Sequence, residues 1–332
     1  MPLNGWAIES RVYAEDPKLF LPSIGRLRRY IEPKTGVEGD QGEIRCDSGI
    51  REGSEISMYY DPLICKLSTH GKTREEAIDR MTRALDSYVI RGVTHNIPIL
   101  REIMSQKRFQ DGALTTKYLP EEFPNGFEAH KLSEKEHKAL ACAALVLYRQ
   151  QQERVGLPPP SGAHFVSIKG YDDLEADLKD GDVFVAGLKT YSRATMRPES
   201  PLLDVSVHGK PYVMQWVESP HVGKLKLQAF GTVYEVSVMT PLEREVSKHL
   251  KSKKAAESSN IHVKAPMAGQ VISVAVKVGD VLKEGTEIAV IEAMKMQNVI
   301  RSTHVGKVTA VKIEEGKNVQ ADAVIIEMQD LN

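Results

Sequence analysis

Two segments near the C-terminus repeat one another. Ala265 to Glu292 and Val305 to Glu327 superpose at an offset of about 37 positions, which lays Gly269 and Gly279 on Gly306 and Gly316, and Val271 and Val274 on Val308 and Val311. Each half alternates apolar with polar residues, is rich in β-branched side chains, and is punctuated by Gly-Asp, Glu-Gly or Glu-Gly-Lys-Asn turns. Neither half can bury its apolar face alone. Packed together, the two predict a small flattened barrel or sandwich. At the join, where a hairpin must reverse direction, stands Glu292-Ala-Met-Lys-Met-Gln297. An ordinary surface lysine needs no such setting. A lysine that another enzyme must acylate does, because it has to project from a rigid scaffold with readable flanks.

Composition bounds the rest. A chain of 332 residues has room for two or three domains, and 41% hydrophobic with 27% charged residues predicts a soluble globular protein with ample core. A formal net charge of −1 gives no reason to expect nucleic acid or an anionic membrane as partner. No apolar run is long enough to cross a bilayer. Cys46, Cys65 and Cys142 are far apart and show no metal-ligand spacing, so neither a disulfide framework nor a zinc site is indicated and a reducing compartment is the simplest reading; the ten histidines form no cluster, and no metal site is expected.

The N-terminal stretch has no charged-then-apolar or basic, Ser-rich leader and reads as a strand from mid-domain. Trp6, Ile8, Ser10 and Val12 alternate with Ala7, Glu9, Arg11 and Tyr13, which predicts a half-buried strand with the first set inward. Thr73-Arg-Glu-Glu76 is a capping box opening a helix whose apolar face is Ala77, Met81, Ala84, Leu85 and Tyr88. Asp61, before Pro62, reads as a turn-forming residue. Ser133-Glu-Lys-Glu136 opens a second helix, to about Arg154, with Leu140, Ala143, Ala144, Leu147 and Tyr148 on one side. Short alternating runs follow at 164–169, 182–188, 203–207, 211–217, 224–229 and 232–238, suggesting an antiparallel sheet or barrel. His221 and Asp204 within it read as structural rather than as an acid–base pair. Residues 247–260 lack an apolar face and read as a mobile linker. The expected plan is an α+β multidomain chain with units at 1–124, 125–246 and 262–332, the linker spanning 247–261.

With these residues in view, a family resemblance becomes specific. Residues from about 262 to 329 resemble the biotinyl domain of biotin-dependent carboxylases, whose Ala-Met-Lys-Met motif carries biotin on its lysine. The lipoyl domain shares the fold, but its lysine usually follows an acidic residue, whereas Met294 and Met296 flank this one. One departure is Pro266-Met-Ala-Gly269, where the family often has Pro-Met-Pro-Gly. Glu9-x-Arg11-x-x-Ala14-Glu-Asp-Pro17, Asp47-Ser-Gly-Ile50, Tyr59-Tyr-Asp-Pro-Leu-Ile-Cys-Lys-Leu67 and Val89-Ile-Arg-Gly-Val-Thr-His-Asn-Ile97 resemble the C-terminal portion of a biotin carboxylase domain, with Ser10 where Cys is common. The last of these, with the Met-Gln after Lys295, is most similar to the α subunits of mitochondrial propionyl-CoA carboxylases. One long helix followed by many strands is similar to their BT domain, in which a barrel surrounds a helix and contacts the carboxyltransferase β subunit; Gly231 to Val238 carries the closest likeness.

The resemblance implies a set of roles. Lys295 is the biotin-attachment residue, read by a biotin protein ligase through Glu292, Ala293, Met294 and Met296. Arg11 matches the family arginine that faces the bicarbonate and biotin site, where a guanidinium stabilises charge on the ureido oxygen. Outside that match, Arg11 is an ordinary strand arginine paired with Glu9 or Glu15. The resemblance implies that the ATP-grasp part, which binds ATP with Mg²⁺ or Mn²⁺ in the complete enzyme, lies before Met1; the glycines at 36, 39 and 42, loosely spaced in an acidic loop that repels a triphosphate, offer no substitute for it. The implied function is to carry carboxybiotin from a biotin carboxylase domain to the β subunit, for ATP- and bicarbonate-dependent carboxylation of propionyl-CoA to methylmalonyl-CoA in the mitochondrial matrix. The alternatives are a methylcrotonyl-CoA carboxylase subunit completed by an ATP-grasp half in trans, or a lipoyl-type acyl carrier.

Overall fold

The computed structural model describes residues 4–18, 20–38, 42–57, 60–124, 126–156, 162–179, 182–190, 192–196, 200–207, 209–249, 260–283, 285–293, 296–302 and 304–330. Three hydrophobic cores organise them.

In the first core, Trp6–Tyr13, Leu63–Gly71, Gly42–Ser48 and Gly36–Glu38 form an antiparallel sheet in that order. Helix Arg74–Ser87 packs Ala77, Met81, Ala84 and Leu85 against Val12 and Leu67. The alternation of the first strand holds for Ile8, Ser10 and Val12, which are buried, but fails at its first residue, where Trp6 is 53% exposed. The helix start is half of the expected box. Thr73 accepts from the Glu76 amide at 3.2 Å, but the Glu76 carboxylate accepts from the Lys72 amide instead of reaching Thr73. Buried Asn96 then ties the chain back to the first strand. Its Oδ1 accepts from the Tyr13 amide at 2.9 Å and its Nδ2 donates to the Arg11 carbonyl at 3.1 Å.

The second core is a helix inside a curled sheet. Nine antiparallel strands run in the order Leu188–Thr190, Asp182–Val185, Leu174–Lys179, Gly162–Ile168, Thr232–Met239, Lys224–Ala229, Lys210–His221, Leu202–Val207 and Ser192–Met196. Helix Glu134–Arg154 starts at a complete capping box, Ser133 with Glu136, and touches strands from both ends of the sheet. The one-sided apolar face expected for it is a correction: every residue from Ala139 to Tyr148 is buried. Alanines and a cysteine fill the positions between the larger side chains, so the sheet can close around the whole circumference at normal packing density. His221 and Asp204 lie exposed on separate strands.

A helix the sequence reading did not contain, Pro241–His249, follows. Thr240 accepts from the Glu243 amide, and the Glu243 carboxylate accepts from the Thr240 amide at 2.7 Å, a complete cap. Arg244 then anchors it, paired with Asp173 at 2.9 Å and lying 4.1 Å over the Phe165 ring. The linker expected from residue 247 therefore begins as the last turn of a helix; residues 250–259 lie outside the described residues.

The third core is the repeat. Asn260–Lys264, Val324–Asp330, Gly306–Val311 and Val281–Leu282 make one four-stranded antiparallel sheet; Met296–Arg301, Glu287–Ala293, Gly269–Val274 and Asn318–Val319 make the other. Each sheet takes strands from both halves, which is why neither half folds alone. The matched glycines have a steric cause. A Cβ on Gly269 would meet the Glu292 carbonyl at 2.5 Å, and one on Gly306 would meet the Gln329 carbonyl at 2.7 Å, so the repeat preserves two equivalent close approaches of backbone.

Candidate functional site

The hairpin that joins the two halves is built from the core outward. Ile288, Ala289 and Ile291 are buried between the sheets and fix the strand Glu287–Ala293. Its partner is paired residue by residue, Ile291 with Asn298, Glu292 with Gln297 and Ala293 with Met296. The ladder therefore persists to the last residues before the reversal, and only Met294 and Lys295 separate its ends; both lie outside the described residues. Of the flanks, Glu292 and Ala293 are half-buried and Met296 is 63% exposed. Asn298 braces the returning strand, its Nδ2 donating at 3.3 Å to the sulfur of buried Met267. Behind it, the Gly269 contact with the Glu292 carbonyl leaves no room for a side chain. A lysyl-linked group fits such a base: the scaffold is stiff to the final pair, and the returning flank faces solvent.

Arg11 lies on the strand Trp6–Tyr13, exposed, with its guanidinium 5.6 Å from the Tyr13 ring centroid, a cation–π contact. Among the described residues it has no ion pair with Glu9 or Glu15. Tyr13, Glu15 and Asp61 line a cleft of about 720 Å³ whose opposite wall is Gln270, Glu292 and Met296. This cleft brings the neighbourhood of Arg11 to the flanks of Lys295. Asp61, read from sequence as a turn residue, is one of its walls. Burial, followed by the charge of Asp61, raises the Tyr13 hydroxyl above its ordinary value, and the same two causes in the same order raise the Glu15 carboxyl. The wall thus holds a proton donor and a carboxyl of raised proton affinity beside Arg11. Tyr13 falls at a free position of the motif around Arg11, and Glu15, though part of that motif, carries no signal of its own for a place in the cleft. Among the described residues, no group of three or more His, Cys, Asp or Glu side chains could hold a metal ion, and no helix is long and apolar enough to cross a membrane.

The first two bodies are locked together by buried polar contacts. Arg91 donates to Gln215 Oε1 at 2.7 Å and to Gln228 Oε1 at 3.1 Å, while Gln215 Nε2 donates to the carbonyls of Asp86 and Tyr88 at 2.8 and 3.0 Å. Gln215 is wholly buried. These residues were not legible beforehand, because a polar side chain in a strand looks the same in sequence whether it meets solvent or another domain.

Three family models match along the chain: the biotin carboxylase C-terminal domain over residues 9–121, the propionyl-coenzyme A carboxylase BT domain over 159–253, and the biotin-requiring enzyme domain over 261–328. This combination, with a biotinyl sandwich and a helix wrapped by a sheet, defines a biotin-dependent carboxylase subunit, and covalent biotin is its cofactor. More narrowly, propionyl-CoA carboxylase α chains are similar to it over nearly its whole length. It is 41% identical to the mitochondrial propionyl-CoA carboxylase alpha chain of Rattus norvegicus, over 99% of this chain and 46% of the relative. It is 35% identical to the propionyl-CoA carboxylase alpha chain of Ruegeria pomeroyi, over 98% of this chain and 52% of that one. The methylcrotonoyl-CoA carboxylase subunit alpha of Rattus norvegicus is 27% identical, over 99% and 48%. The biotin carboxylase domain of the Hydrogenobacter thermophilus 2-oxoglutarate carboxylase is 46% identical over 39% of this chain and 27% of that chain, with a TM-score of 0.35. The chain spans about half the length of the relatives it matches.

Proposed function

We propose that this chain is the biotin carrier and subunit-docking part of an acyl-CoA carboxylase acting on propionyl-CoA, with biotin attached to Lys295 by a biotin protein ligase. When bound there, biotin supplies a nitrogen that takes up and gives away a carboxyl group. The observation that carries the reading is the closed ladder of Glu292–Gln297 and Ala293–Met296, which leaves Met294 and Lys295 as the whole of the reversal in a biotin-requiring domain. The chain's own residues then have separable tasks. The sandwich presents the lysine, Arg11 on its Tyr13 support offers a fixed positive charge to an anionic ureido oxygen, and the helix with its curled sheet docks a carboxyltransferase β subunit. Similarity to propionyl-CoA carboxylase α chains, higher than that to the methylcrotonoyl-CoA relative, favours propionyl-CoA as substrate and methylmalonyl-CoA as product. ATP with Mg²⁺ or Mn²⁺ would be handled by an ATP-grasp part. The mitochondrial matrix is the proposed location, from the mitochondrial relatives.

The test is intact-mass and peptide analysis after co-expression with a biotin ligase. A single biotinyl increment on the peptide containing Lys295, absent in Lys295→Arg, is expected. Biotin on Lys277 or Lys307, or a lipoyl increment at Lys295, would overturn the assignment.

A further inference from the structure

The two middle strands of the first sheet carry a pair of thiols that the proposed function does not use. Cys46 and Cys65 occupy neighbouring antiparallel strands, where Cys46 faces Leu67 and Cys65 faces Ser48. They share one face and meet on the diagonal, the Cys65 thiol donating to the Cys46 sulfur at 3.5 Å. Cys65 is fully buried, whereas Cys46 is half-buried and lines a cavity of about 520 Å³ with Ser48, Leu63 and Lys66. The third cysteine, Cys142, is buried in the helix inside the other core.

The surroundings favour a single negative charge on the pair. A hydroxyl network runs beside it, with Tyr30 bonded to Ser48 at 2.8 Å and to Tyr88 at 2.5 Å. The hydrogen bond between the sulfurs, ahead of opposing burial and aided by Ser48 and Tyr88, lowers the Cys65 thiol below the ordinary cysteine range, and the same bond, followed by burial, holds Cys46 far above it, so the pair carries one charge and shares one proton. A thiolate paired with a resolving thiol and open to a cavity is the arrangement in which peroxide oxidation runs to a disulfide.

We propose that Cys46 and Cys65 are a redox-active pair that hydrogen peroxide converts to a reversible disulfide. The proton shared along the 3.5 Å sulfur–sulfur contact rests on Cys65 when the cavity-facing Cys46 sulfur, carrying the pair's charge, attacks one peroxide oxygen. The S–O bond forms, the O–O bond breaks, and hydroxide leaves and is protonated to water. Cys65 then loses its proton and attacks the sulfenic sulfur, forming the S–S bond and releasing a second water. Two electrons pass from the sulfurs to peroxide, and two thiols with one peroxide give one disulfide and two waters. Closing 3.5 Å to a bond of about 2.05 Å needs side-chain rotation and a small strand shift. A diagonal bridge of this kind holds strain and is readily reduced. The bridge would tie the base of the 46–65 loop, which carries Asp61 of the cleft wall.

The experiment treats the full chain with hydrogen peroxide, blocks the remaining thiols in denaturant, and maps peptides without reduction. Expected are a Cys46–Cys65 cross-linked peptide, a mass loss of about 2 Da, and a fall from three blockable thiols to one, with all three restored by dithiothreitol. Cys46→Ala, at the half-buried position, should leave Cys65 unoxidised. Retention of three thiols under peroxide in excess, oxygen added to Cys46 with no bridge, or a bridge that includes Cys142 would each overturn the proposal. The wild-type measurement alone decides it if the variant fails to fold.

Discussion

His130 holds Glu102 at 2.7 Å through Nδ1 and Glu136 at 3.3 Å through Nε2, and so joins the helix Ile97–Ser105 of the first body to the first turn of the central helix. Its amide donates to Thr232, its carbonyl accepts from Tyr234, and its ring packs 5.4 Å from Phe230. The hydrogen bonds to Glu102 and Glu136, against burial, raise the imidazole to about 9. Burial works against the shift of Glu136, yet the hydrogen bonds from His130 and Ser133 hold its carboxyl down to about 2.

A pH dependence follows with a definite sign. A base whose folded value lies above its unfolded value, about 6.5, stabilises the fold fully below that value and loses the contribution as pH rises through about 9. Stability should therefore fall by roughly 1–3 kcal/mol between pH 7 and pH 10 through this group alone. His130→Gln should lack that component, so the gap between wild type and variant in urea unfolding should narrow at pH 10. A gap that stays constant from pH 7 to pH 10 would count against a charged His130.

Gln215 offers a sharper test of the lock between the first two bodies. Gln215→Leu fits the buried volume but leaves Arg91 with one acceptor fewer and the Asp86 and Tyr88 carbonyls without their donor. A loss of about 2–4 kcal/mol is expected. Limited proteolysis should reveal earlier cleavage between the two bodies than in wild type. Gln215→Glu keeps the acceptor for Arg91 but turns an oxygen toward the two carbonyls, so it should rescue little.

The repeated glycines separate close approach from turn geometry. Gly269→Ala drives a Cβ against the Glu292 carbonyl, whereas Gly279, at φ +100°, has open space around it. Gly269→Ala should destabilise the biotinyl sandwich by about 2–3 kcal/mol and slow biotinylation by displacing the Lys295 hairpin. Gly279→Ala should cost about 1 kcal/mol and leave the rate of biotin incorporation unchanged. Chemical denaturation and a ligase time course measure the two effects side by side.

How much of this was legible depends on what each signal measures. The repeat was readable because its glycines and alternating valines report close approach and core facing directly, and the Ser133 cap because both its partners are local. The Thr73 cap misled because Lys72 competes for the Glu76 carboxylate, a choice made by loop geometry. The strand Leu174–Lys179 went unseen because Ala176 is its only buried residue. The all-round burial of the central helix was hidden for a different reason: alanines read as neutral until the sheet that encloses them is known. For the candidate site, the motif around Lys295 was plain, but Glu15 and Asp61 reach the cleft only through tertiary packing.

Asn96 links that cleft to the fold, and its substitution by aspartate isolates one of its two bonds. The introduced carboxylate would retain an oxygen for the Tyr13 amide but, when ionised, would place the other against the Arg11 carbonyl, where Nδ2 now donates. The carboxyl would be pushed above its unfolded value of about 3.9, so any stability it contributes is complete below that value and is lost as pH rises through the folded one. Asn96→Asp should thus cost roughly 2–3 kcal/mol at pH 7 and recover part of the loss near pH 4, where a protonated carboxyl can donate to the Arg11 carbonyl. Asn96→Ala, which cannot titrate, should show a deficit that does not change with pH. Unfolding curves for both variants at pH 4 and pH 7 measure the difference. If the two deficits moved in parallel, the Arg11 backbone would not be held by this side chain, and the strand would have to fix Arg11 over Tyr13 by its ladder alone.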